Sequence, residues 1–77
     1  MERTWLKDAR IKAGKTMADM GAELGISESY YSYIEAGERQ KHMDLTLVAK
    51  LSKIFSISIQ QIVEFEETES RTGKSVQ

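Results

Sequence analysis

The stretch Met17-Ala18-Asp19-Met20-Gly21-Ala22-Glu23-Leu24-Gly25-Ile26-Ser27-Glu28-Ser29-Tyr30-Tyr31-Ser32-Tyr33-Ile34-Glu35-Ala36-Gly37 decides how this chain folds. Met17, Met20, Gly21 and Leu24 line one face at helical spacing, and Gly25 supplies the backbone freedom at which such a helix stops. Thr16 ahead of it reads as an N-cap, with Asp19 in the first turn, where the helix dipole favours an acid. Ser27 caps the next helix, and Ile26 and Tyr31 bracket that cap as a hydrophobic staple. Tyr31 and Ile34 point inward, and Gly37 closes the segment with an expected positive φ. Met20, Leu24, Ile26, Tyr31 and Ile34 thus form an apolar wedge between two short helices, and Gly21 is the small residue needed where they cross. The spacing predicts helices over 17–24 and 28–36 joined by a tight turn.

Outward from this pair the same signals recur. Leu6, Ala9, Arg10 and Ala13 repeat at helical spacing before Gly14, predicting a helix over 5–13. Glu38 to Met43 is a polar loop. Asp44 caps a helix over 45–55 whose Leu47, Val48, Leu51, Ile54 and Phe55 make a wide apolar stripe. Ser58-Ile59-Gln60-Gln61 reads as a capping box, with Ile57 and Ile62 as its staple, and predicts a short helix over 59–65. Ile57-Ser58-Ile59 is the nearest approach to strand alternation, and the capping box explains it better. The expectation is an all-α fold of five helices, with a domain over residues 1–67 and an aperiodic, frayed tail over 68–77.

Seventy-seven residues make room for one small domain with one modest core. The absence of cysteine removes disulfides and zinc–thiolate sites, and the single histidine, His42, cannot form a histidine cluster. No metal or other cofactor is expected. No apolar run approaches the length of a membrane span, and no apolar segment of signal-peptide type follows Met1-Glu2-Arg3-Thr4-Trp5, so a soluble cytoplasmic protein is expected. Enzyme chemistry finds no footing. No glycine loop matches a phosphate-binding pattern, and His42 has no nucleophile partner. Net charge is −1. Residues 44–67 carry Lys50 and Lys53 against Asp44, Glu64, Glu66 and Glu67, so an anion-binding face belongs to the first half or to the loop at Arg39, Lys41 and His42.

From Leu6 to Ile62 the sequence resembles the phage-repressor and Cro-type (lambda-repressor-like) helix-turn-helix family. The resemblance rests on Arg10 in the first helix, Gly21 inside the second, Gly25 in the turn, and Ile34-Glu35-Ala36-Gly37 closing the third. Phe55-Ser56-Ile57-Ser58-Ile59-Gln60-Gln61-Ile62 is similar to the family's last helix. The resemblance implies sequence-specific binding of double-stranded DNA, usually by a homodimer, with the third helix in the major groove. It implies a transcriptional repressor of a phage, mobile element or bacterial operon, or a restriction-modification controller.

With Tyr31 and Ile34 inward, Glu28, Ser29, Ser32 and Tyr33 are expected to meet the bases. Lys15, Thr16, Met17, Ser27, Tyr30, Arg39, Lys41 and His42 are expected to meet phosphates. The resemblance also implies a structural ion pair between Arg10 and Glu35, tying the third helix to the first. Ile59, Ile62, Val63 and Phe65 are expected to form a dimer interface, being more apolar surface than so short a helix can bury beneath itself. The predicted recognition helix holds no Arg, Lys, Asn or Gln, the usual bidentate base readers. An alternative therefore stands: a protein-interaction module on the same fold, such as an antitoxin or an anti-repressor partner, using the tyrosines and Glu28 on a protein partner.

Overall fold

The computed structural model of the protein describes residues 2–75, with side chains through residue 69. Its elements are α1 (Thr4–Lys12), α2 (Met17–Leu24), α3 (Glu28–Glu35), α4 (Leu45–Phe55) and α5 (Ile59–Ser75), with no strand among the described residues. The first four match the ranges predicted from spacing to within one residue at either end.

Helix starts are fixed by short side chains that accept from otherwise orphaned N–H groups. Thr16 and Asp19 cap α2 reciprocally: Asp19 N donates to Thr16 Oγ1 at 3.0 Å, and Thr16 N donates to Asp19 Oδ2 at 2.9 Å. Those donors stabilise the ionised carboxylate, the Thr16 backbone N–H most, and hold the Asp19 pKa below its ordinary value. Ser27 Oγ accepts from Tyr30 N, Asp44 Oδ1 from Leu47 N, and Ser58 Oγ from Gln61 N, starting α3, α4 and α5. Each such cap contributes about 1 kcal/mol. Gly25 sits at φ +74 and ends α2, while Lys50 Nζ from α4 donates to the Leu24 carbonyl beside it. Gly37 has φ +82, as expected.

The core joins one face of every helix. Leu6, Met20, Tyr31, Ile34, Leu51 and Ile62 are fully buried, with Trp5, Leu24, Leu47 and Val48 around them. Gly21 makes the α2–α3 approach possible. A Cβ there would lie 2.9 Å from the Ile26 carbonyl oxygen and 3.2 Å from the Glu28 amide nitrogen, both main-chain atoms that cannot swing aside.

Two expectations about α5 are corrected. Ile62 is 0% exposed and belongs to the core of its own protomer, so it is not interface surface. Phe65 is half-buried and stacks on Trp5 with ring centroids 5.4 Å apart. Trp5, immediately ahead of the expected apolar repeat of α1 that starts at Leu6, supplies the cover the sequence pattern did not show. The helix also runs to Ser75 instead of stopping near Phe65. Its second half has no apolar stripe and is held instead by carboxylates. Glu66 Oε2 accepts from Trp5 Nε1 at 2.6 Å, and Glu69 Oε1 accepts from Trp5 N at 3.2 Å. Of the expected tail, Val76 and Gln77 lie outside the described residues.

Gly21→Ala should lower stability by about 1–3 kcal/mol despite alanine's better helix propensity, because the main chain of the turn must move. Thermal melting followed by circular dichroism reads this directly, and an unchanged or raised melting temperature would contradict the close approach. Ile62→Ala should cost about 2–5 kcal/mol, by the same amount at every protein concentration. A cost that vanishes on dilution would return Ile62 to an intermolecular interface.

Candidate nucleic-acid interface

Two arginines set the position of α3, and both act at its C-terminal end. Arg10 from α1 forks onto Glu35, Nε donating to Oε2 at 2.8 Å and Nη2 to Oε1 at 3.3 Å, while its Nη1 donates to the Lys15 carbonyl. The Tyr31 hydroxyl donates to the same Glu35 Oε2 at 2.7 Å. Hydrogen bonding to Glu35 raises the Arg10 pKa and keeps it charged. Burial, together with the bond to Glu35, pushes the Tyr31 phenol well above its ordinary value. Arg3 is 5% exposed. Its Nη1 donates to the Ile34 carbonyl at 2.6 Å and to the Arg39 carbonyl at 3.1 Å, its Nη2 donates to the Gln40 carbonyl, and its Nε meets both oxygens of Glu66 at 2.9–3.0 Å. The Arg3 amide also donates to the Glu35 carbonyl at 2.8 Å. The last carbonyls of α3 are thereby satisfied by one residue that also anchors α5.

The rest of α3 faces outward. Glu28, Ser29, Ser32 and Tyr33 line one open depression together with Met17 at the start of α2. The four residues expected to meet bases and one expected to meet phosphate thus share a surface. Glu28 and Ser29 are exposed, Ser32 is half-buried, and Tyr33 is 45% exposed. Met17 is half-buried and packs against the core with part of its side chain. Thr16 and Ser27 are exposed, and each uses one oxygen lone pair as a cap, which leaves the hydroxyl hydrogen to a ligand.

The expected cations are not equivalent. Lys15 Nζ pairs with Glu23 Oε2 at 2.5 Å, so its charge is already shared. Lys41 and His42 are exposed on the α3–α4 loop. The Arg39 guanidinium carbon lies over the Tyr33 ring, 5.4 Å from its centroid. Tyr30 packs partly into the core, and its hydroxyl accepts from Gln40 Nε2 at 3.2 Å. Gln40 Oε1 in turn accepts from Asp44 N, so the Gln40 amide bridges α3 to the cap of α4. Ile59 and Val63, expected in a dimer interface, are 47% and 43% exposed one turn apart on α5.

Arg3, Trp5, Glu66 and Glu69 were not singled out by spacing or motif, yet Arg3 fixes the far end of α3 and the four together tie α5 to the N-terminal segment. The one available signal was the Glu66/Glu69 pair, three residues apart on one helix face. Among the described residues no group of His, Asp or Glu is arranged to hold a metal ion, and no helix is long and apolar enough to cross a membrane.

Residues 6–62 match a family model described as helix-turn-helix. That match spans most of the chain, and the protein belongs to this family in its phage-repressor and Cro-type form: it is a DNA-binding regulator. No curated protein and no solved structure matches it.

Arg10→Ala should destabilise the protein by about 3–5 kcal/mol, because it leaves the Glu35 carboxylate buried beside only a phenol. Arg10→Met with Glu35→Leu should recover much of that loss, and an Arg10→Ala protein with wild-type melting would show that the pair carries no structural role. The Tyr31 phenol gives a second check. The unfolded chain releases that proton near pH 10, whereas the folded chain keeps it, so stability is intact below pH 10 and falls as pH rises beyond it. The loss of melting temperature between pH 9 and pH 11 should shrink in Tyr31→Phe. An equal loss in both proteins would place the alkaline sensitivity elsewhere.

Proposed function

We propose that this helix-turn-helix regulator is a repressor, that it reads the major groove of double-stranded DNA with α3, and that residues 1–67 form the unit that does so as a homodimer. The observation that carries this reading is the shared surface of Met17, Glu28, Ser29, Ser32 and Tyr33, set between the capped N-termini of two helices. A helix fits the major groove, and the side chains near its N-terminus reach base edges. Glu28 accepts from a cytosine amino group, and Ser29 and Ser32 exchange hydrogen bonds with either partner of a pair. Tyr33 offers its ring to a thymine methyl. Thr16, Ser27 and the Tyr30 hydroxyl meet phosphate oxygens from the two helix starts, with Lys15 shared between Glu23 and the backbone. Lys41 and His42 flank them from the loop.

Ile59 and Val63 support dimerisation through α5, because two aliphatic side chains one turn apart gain by excluding water against a twofold copy. A symmetric pair would present its α3 helices about 34 Å apart, one turn of the duplex. Occupying such a site excludes other proteins from the same DNA, which is sufficient for repression.

A second reading has a specific observation behind it. Glu28 sits in the first turn of α3 and the net charge of the chain is −1, a combination that repels phosphate and suits a protein partner. Selecting duplexes from a random pool with purified protein at moderate salt separates the two.

If each protomer neutralises about three phosphates, log affinity should fall with log salt at a slope near −5 for a dimer. Lys41→Ala should weaken all duplexes alike and flatten that slope, whereas Ser32→Ala should change the ranking among site variants. Glu28→Gln should raise affinity overall and change preference at one base pair. A pool from which nothing is enriched, with these substitutions abolishing capture of a protein partner, would overturn the DNA reading.

A further inference from the structure

Guanine O6 and N7 are met with fixed geometry by the planar fork of a guanidinium, whereas a lysine ammonium reaches them only as a mobile point charge. The chain has four arginines, Arg3, Arg10, Arg39 and Arg71. Arg3 is buried under the end of α3 and Arg10 is committed to Glu35. Arg71 lies in α5, beyond the residues whose side chains are described. Arg39 is exposed, and it stands beside the outward face of α3 because its guanidinium lies over Tyr33.

Its backbone is hydrogen-bonded at both its N–H and its carbonyl. Arg39 N donates to the Tyr33 carbonyl at 3.2 Å, beside a 2.9 Å bond from Glu38 N to the same oxygen. Its own carbonyl accepts from the buried Arg3 at 3.1 Å. Left-handed backbone at Gly37 and Gln40 brackets the segment and turns it back toward the helix. Among the described residues the guanidinium has one hydrogen-bond acceptor, the Glu38 carbonyl, which engages Nη1 at 3.2 Å. The remaining N–H groups are left for a ligand. Contact with the ring limits the rotamers of a long side chain.

We propose that Arg39 is a specificity-determining residue that donates to O6 and N7 of a guanine in the major groove, with Tyr33 as the platform that aims it. The proposal rests on the reading of α3 as the DNA-facing helix and assigns Arg39 a different task from the phosphate contact expected from the sequence. A phosphate contact needs charge, which lysine supplies equally. A guanine contact aimed by stacking on a ring uses the planar fork, which lysine lacks.

The test uses the full chain and duplex selection from a random pool, with wild type, Arg39→Lys, Tyr33→Leu and Tyr33→Phe in parallel. Thermal melting first establishes that each variant is folded. Wild type should select a guanine at one position of each half-site. Arg39→Lys should lose that preference by roughly tenfold or more while keeping the other selected positions and the salt slope. Tyr33→Leu should lose preference at the same position, and Tyr33→Phe should retain it there. If wild type selects a consensus and Arg39→Lys selects the same one with equal affinity, Arg39 is a phosphate contact and the proposal falls. If wild type enriches no duplex, the DNA reading fails first and this assignment falls with it.

Discussion

The buried carboxylate of Glu35 is the constraint on which the rest of the structure depends. It sits at the C-terminal end of α3, where the helix dipole already places negative potential, and it is 3% exposed. Alone it would be an uncompensated charge in the core. The Arg10 fork and the Tyr31 hydroxyl supply the charge and the donors that keep it in place. Since desolvation offsets much of the attraction within such a pair, its main consequence is orientation. A carboxylate with three fixed donors allows α3 one angle and one rotation relative to α1. Rotation of α3 in turn decides which side chains meet a ligand.

Arg3 extends that constraint across the molecule. One guanidinium satisfies carbonyls at the end of α3 and in the following loop, and its other edge holds Glu66 on α5. The helix that exposes Ile59 and Val63 is therefore linked to the helix that presents Ser32 and Tyr33. The link is short, partly buried and made of charge-assisted hydrogen bonds, which are stronger and more directional than neutral ones. Spacing between two α3 helices in a dimer would thus be fixed by a rigid connection instead of a hinge.

What was legible in the sequence was local, or came from the family resemblance. Caps at Thr16, Ser27, Asp44 and Ser58, the turn at Gly25 and the wedge around Tyr31 all act over a few residues, so their spacing reports them. The Arg10–Glu35 pair was reached only because the resemblance matched both positions. Arg3–Glu66 spans sixty-three residues of separation, and no periodicity announces it. Trp5 on Phe65 is the same kind of contact, and without it Ile62 and Phe65 read as surplus apolar surface. The length of α5 was illegible for a related reason: its second half is held by two carboxylates reaching α1, not by an apolar stripe that a pattern search detects. The outward face of α3 could be listed from rotation alone, because fixing Tyr31 and Ile34 inward fixes its neighbours outward. What rotation could not give was the neighbour from outside the helix, Arg39 on Tyr33.

That neighbour bears on how a nearly neutral chain recognises DNA at all. Backbone affinity scales with the phosphates neutralised, and here Lys15 is shared with Glu23 while Arg3 and Arg10 are spent inside the fold. The sequence-independent attraction is reduced by those three cations. A strongly basic protein binds any duplex and adds selectivity on top; a neutral one has a small non-specific term to subtract, so each correct base contact counts for a larger share of the total. Under the proposed reading Glu28 would sharpen this balance, since it would repel phosphate and be compensated only where a donor such as a cytosine amino group met it. Rigid placement of α3 is then a requirement and not an embellishment, because contacts that few in number lose their value if the helix can rotate. The two arginines whose charge is spent inside the fold are the same groups that hold α3 still, so the fold gives up general attraction for orientation.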